Sequence, residues 1–221
     1  LTAGTALFRL LLAPPHLASM LHRATRWLAI GGIVGLILFV GAEGALRAGL
    51  PIADAFSVEA MRAVLGASNS ALRALSAIGL ILLAIGGGRL LQGLGIAGAI
   101  AGMGDSGHVL AVLPPGVGQG LMMLHGFAAA LWIGAIAPLR GALTHDAGTE
   151  TLALFRRFQS CGAWAMAATL ASGLVLAWLL LPRLADLWQS DYGLRLATKL
   201  AAVAAMLLIA AINRLWLTRR A

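Results

Sequence analysis

The sequence predicts an all-α fold, a polytopic transmembrane helical bundle of six full spans with the remnant of one further helix at its start. Two observations carry that class. Of the 221 residues, 60% are hydrophobic and 11% charged, with a mean hydropathy of +0.91, far above an ordinary soluble domain. The apolar residues also come in runs near the ~20 residues that one bilayer crossing needs. The whole chain, 1–221, reads as a single integral membrane domain in a lipid bilayer.

TALFRLLLA (5–13) is too short to cross and reads as the tail of a first helix. A signal peptide would put its charge before its apolar stretch, whereas Arg9 lies inside it. Spans are expected at 27–46, 71–87, 90–104, 117–139, 162–181 and 194–213. Only GGGR (86–89) joins the second to the third, so those two form an antiparallel hairpin. The third span is glycine-rich, GLGIAGAIAG, and its Gly98 to Gly102 spacing suits close helix approach. Ser68 and Asn69 offer an N-cap to the second span and Pro182 stops the fifth.

Net charge is +8 and the pI about 11.6, but the basic residues punctuate apolar runs instead of forming a face that reads nucleic acid. Charge therefore speaks to topology. With the first loop inside, ten of the sixteen basic residues and only Asp146 and Glu150 of the eight acids lie inside. The positive-inside rule then puts both chain ends in the cytoplasm. The loop 103–120 and the first turns of the fourth span face outward.

The single cysteine, Cys161, excludes an intramolecular disulfide. No CxxC, HExxH, Walker or GxSxG motif is present, so nothing marks the chain as an enzyme.

LMMLHGFAAALWIG (121–134) holds the residue of most interest. His125 lies about 12 Å along a helix starting near Val117, within the apolar layer, where an ionisable group is a functional candidate by default. The bland reading is a neutral histidine bonded to a carbonyl of a neighbouring helix. Met122, His125, Ala129 and Trp132 share one face. Imidazole and thioether together suit copper, the thioether favouring Cu(I), and the outer mouth would gather Met103, His108, Met122, Met123 and His125. Each methionine also fits as a gap-filler. Asp105 is a candidate acceptor for an imidazole N–H of His108.

Trp132 reads as packing, with closure of a pathway below a bound ion as the alternative. Cys161 is a candidate inner receiver of copper, though a lone buried cysteine is usually inert. Lys199 and Glu43, near the ends of their spans, are a candidate ion pair. His16, His22 and His145 fall in predicted loops.

Several short patterns occur in a fixed order: Gly107-His108, His125 with Trp132 and Gly134, Arg157-Phe158, Gly173, Tyr192-Gly193, Lys199 and Asn213-Arg214. In this order and spacing the chain resembles the copper resistance protein D (CopD) family of bacterial membrane proteins, most closely from Gly107 onward. Upstream, TALFR is similar to the end of that family's first helix. The stretch 50–75 resembles its long outer loop, with Arg73 at the usual basic position. The resemblance implies a protein of the bacterial inner membrane that moves copper, generally toward the cytoplasm, with His108 and His125 as its histidines. It also implies periplasmic copper-binding proteins as partners. The methionines belong to no such pattern. Two rival readings stay open. One is a membrane haem or quinone redox protein, which needs paired histidines on facing helices; the other is a scaffold that hands copper to a partner.

Overall fold

The computed structural model describes residues 1–67, 70–104, 114, 116–145, 149–181 and 183–216; at positions 16, 145, 210, 211 and 213–216 it describes the backbone alone. The expected cap at Ser68 and Asn69, the stop at Pro182, and the loop residues Asp105 and His108 lie outside the described residues. Among those described, every regular element is helical: α1 (Thr2–Leu11), α2 (Pro15–Ala48), α3 (Val58–Leu65), α4 (Ser70–Ile85), α5 (Arg89–Ala101), α6 (Val117–His145), α7 (Thr149–Leu180), α8 (Asp186–Gln189) and α9 (Asp191–Trp216). Short 3-10 turns occupy Ile52–Asp54 and Gly102–Gly104. The chain divides into two compact units, Leu1–Gly173 and Leu174–Ala221.

Local signals explain the helix ends. Pro15 opens α2, where its missing N–H costs nothing, and Gly49 closes it in the left-handed region at φ 67°. The Ser57 side chain accepts from the Ala60 amide at 3.2 Å and caps α3.

Four helical stretches are long and apolar enough to cross a membrane, Leu17–Ala48, Val117–Thr144, Thr149–Leu180 and Asp191–Ile209. The expectation of six full spans is therefore corrected. α4 has 16 residues and α5 has 13, about 24 Å and 20 Å of helix against a hydrocarbon layer of about 30 Å. The runs at 71–87 and 90–104 are apolar but short of a crossing. Counting the pair α3 and α4, bent by 101°, as one broken span raises the number to five.

The two short helices do form the expected hairpin. A Cβ built on Gly79 would lie 2.6 Å from the Gly95 carbonyl oxygen, and one on Gly98 would lie 2.6 Å from the Leu75 oxygen. Gly102 meets Ser76. Backbones touch here because no side chain separates them.

The N-terminal helix is deeply buried in the first unit. Every residue from Thr2 to Phe8 is buried. Gly4 of α1 packs on the backbone at Ala130 of α6, and Gly134 packs back on Gly4 and Thr5. Leu7, Leu83, Ile96, Leu131 and Ala165 make one apolar cluster with Ala3 and Ala6. Phe8, Leu12, Leu21, Leu139 and Leu154 make a second, in which the Phe8 and Phe158 rings lie 6.3 Å apart. Within the second unit, α8 packs on the start of α9, and Ser190 links them by donating to the Asp186 carbonyl and accepting from the Gly193 amide.

Candidate metal site

His125 stands in α6, and its ring is held by α7. Nδ1 lies 3.1 Å from the Thr169 carbonyl oxygen and 3.0 Å from Ser172 Oγ. A carbonyl only accepts, so Nδ1 carries the proton. The serine agrees: its one hydroxyl proton goes to a backbone carbonyl, that of Ala168 at 2.5 Å or of Thr169 at 3.2 Å, leaving its lone pairs to accept from Nδ1–H. In the neutral ring this pattern puts the proton on Nδ1 and the lone pair on Nε2. This is the carbonyl contact of the bland reading, and it is also the one that metal-binding histidines make with the ring nitrogen that does not face the ion.

Room for the ring comes from a glycine. A Cβ on Gly173 would sit 3.1 Å from His125 Cε1, so any larger residue presses on the imidazole. Thr169, Ser172 and Gly173 were not expected as site residues from their chemistry. The available signal was two hydroxyl residues three apart, on one face of the otherwise apolar run MAATLASGLVL (166–176).

The methionines divide between faces. Met103 lies against Gly126, and Met123 against Gly104, so the two interlock between α6 and the Gly102–Gly104 turn. At about 100° per residue, Gly126 is one step around α6 from His125, while Met123 is nearly opposite it. Met122 is about 60° from His125 and half-buried. Among the described residues no group of three or more His, Cys, Asp or Glu side chains gathers to hold a metal ion. The donor set in view is one imidazole with nearby thioethers, which fits a soft, exchanging ion better than a closed cage.

Trp132 packs against the first apolar cluster and Cys161 against the second. Glu43 Oε1 accepts from Arg47 at 2.7 Å and from Arg73 at 2.9 Å. Lys199 is exposed on α9. His22 was expected in a loop but lies within α2, half-buried, where its Nδ1 accepts from Arg9 Nη1 at 3.1 Å. The loop reading failed because α2 begins a dozen residues before the apolar run that betrays it.

The contacts also order the first unit along its axis. Arg73, at the start of α4, meets Glu43 near the end of α2, while Gly86, after α4, meets His22 near the start of α2. α5 then returns, so that Gly102 reaches Ser76. Met103 and His125 are therefore nearer the Glu43 end, and Arg9 and His22 occupy the other.

Residues 152–221 match the family model described as copper resistance protein D. That stretch, about a third of the chain, is similar to CopD. It is the family that the sequence resembles, and the matched part supplies Thr169, Ser172 and Gly173, the three residues that seat His125. The match connects this membrane protein with copper resistance. No curated protein and no solved structure gives a match to the chain.

Proposed function

We propose that the protein takes up copper from one side of the bacterial inner membrane and passes it across. His125 Nε2 is the inner ligand of an outward mouth, His108 the outer one, and Met122 and Met103 supply thioethers, while Met123, on the far face of α6, stays outside the set. The single observation that carries this reading is the Nδ1 anchor at Thr169 and Ser172, which leaves Nε2 with its lone pair. Neutral imidazole and thioether favour Cu(I). A site of few ligands releases its ion, as passage requires. Asp105 orients His108, and Trp132 packs below the ion. Cys161 receives the ion on the inner side. Charge distribution supports both chain ends in the cytoplasm and the mouth toward the periplasm, where copper-binding proteins deliver the ion. No bond is made or broken, and no nucleotide-binding motif is present in the sequence, so movement follows a gradient, the membrane potential or a partner.

The test is copper accumulation by cells expressing the protein, with metal analysis and absorption spectra of the purified chain. Accumulation changes on expression, and the change is lost in a folded His108→Ala/His125→Ala variant. Unaltered accumulation in that variant removes permeation through this site, and a Soret band replaces the copper reading with the haem one.

A further inference from the structure

We propose that the end of the first unit opposite the candidate copper site binds the phosphate of one anionic phospholipid headgroup. Four basic side chains from three elements meet there. Arg9 of α1 donates to His22 of α2 at 3.1 Å. His22 and Arg26 both lie against Gly86, and Arg26 Nε donates to the Ala84 carbonyl at 2.9 Å. Arg89 of α5 reaches the Leu10 carbonyl, beside Arg9, at 3.5 Å.

The charges do not balance. Because Arg9 donates to Nδ1, His22 is neutral and presents Nε2–H as a further donor. Three guanidiniums remain. Two of them cap the last turns of α4 and α1, whose C-terminal dipoles offset about half a charge each. About two positive charges are left, and among the described residues no carboxylate pairs with any of the three arginines. Arg9 Nε is buried without a hydrogen-bond partner, an arrangement costly beside hydrocarbon. Arg26 and Arg89 are exposed, so the cluster opens outward.

Depth decides the source of the anion. From His22 to Glu43, α2 rises about 31 Å, nearly the ~30 Å thickness of the hydrocarbon layer. With Glu43 and Arg47 at one boundary, His22 and its arginines stand at the other, at headgroup level. Basic pockets between membrane helices at that level recognise lipid phosphates.

The experiment places the purified full chain in phosphatidylcholine bilayers containing a minor fraction of phosphatidylglycerol, then counts retained lipid by native mass spectrometry. One phosphatidylglycerol is retained. Each arginine at an anionic surface is worth about a factor of five, so Arg26→Gln/Arg89→Gln lowers retention roughly thirtyfold, while Arg23→Gln, exposed on the same helix, leaves it unchanged. Should the double variant not fold, each single variant reads alone at about fivefold. Equal retention of phosphatidylcholine, or indifference to these substitutions, overturns the proposal. So does inorganic phosphate stabilising the protein in pure phosphatidylcholine as well as the lipid does, which would assign the site to a free anion.

Discussion

His125 and Ser172 are 47 residues apart in the chain, and the imidazole Nδ1 of one lies 3.0 Å from the hydroxyl oxygen of the other. That contact fixes a tautomer, and the tautomer decides which nitrogen a metal can use. Outer-shell partners of this kind are worth ten- to a hundredfold in metal affinity. Ser172→Ala leaves the Thr169 carbonyl in place, so it weakens Cu(I) binding by about tenfold, the lower end of that range, while helicity is kept. Competition against a chromophoric Cu(I) chelator reads the change. Unaltered affinity would mean that the ring is not used as a ligand.

Gly173 is expected to be sensitive in a graded way. Alanine brings its Cβ to 3.1 Å from the ring, a contact relieved by a shift of a few tenths of an ångström, and lowers copper affinity slightly. Valine cannot be relieved so cheaply and displaces the imidazole from its α7 anchor. Affinity falling in the order glycine, alanine, valine, with melting temperature nearly constant, separates a role at the ligand from one in general packing.

The Glu43 carboxylate holds two arginines of unequal worth. Arg73 is buried, its side chain 9% exposed, whereas that of Arg47 is 42% exposed. Glu43→Gln removes the carboxylate from the buried guanidinium and destabilises the protein by about 3 kcal/mol. Arg47→Gln removes a screened surface pair and costs at most about 1 kcal/mol. Unfolding in detergent should rank the two accordingly, and equal losses would show that burial does not set their worth.

Helix approach in the α4–α5 hairpin gives a contrast between two glycines. Gly79→Val forces side-chain atoms into the α5 backbone, with an overpacking cost of about 1 to 3 kcal/mol or more. At Gly93 a Cβ meets nothing within 4 Å, so Gly93→Ala gains about 0.5 to 1 kcal/mol from helix propensity. Opposite shifts in melting temperature are the expected result.

Trp132 tests the boundary between packing and passage. Its ring leans on the cluster around Leu131 and Ala165, so Trp132→Phe should lower the melting temperature while Cu(I) affinity stays at the wild-type value. A selective loss of copper accumulation with stability unchanged would instead place the indole on the ion's path.

Much of this was legible in the chain. His125 was conspicuous because a polar side chain inside an apolar run must be satisfied or used. The α4–α5 hairpin followed from a link too short for any other arrangement, and Gly98 and Gly102 announced a close neighbour. Its identity as Gly79 was not legible, since a glycine near the middle of an apolar run looks the same whether it faces lipid or another backbone. That Arg9 and His22 meet was not legible, since nothing in either segment shows that α1 and α2 lie side by side.

By itself the sequence determined that the chain is a helical membrane protein, which residue in its apolar layer could bind a soft metal, and which copper-related family its motifs resemble. These are properties of composition, periodicity and local order along the chain. Only the tertiary structure decided that four long helices are long enough to cross while α4 and α5 are not, and that α1 lies in the core. It also decided that His125 Nδ1 donates to α7, and that three arginines meet with no carboxylate pairing with them among the described residues. Each of those depends on contacts between residues far apart in sequence, where packing and desolvation, summed over several helices, outweigh what any single segment prefers.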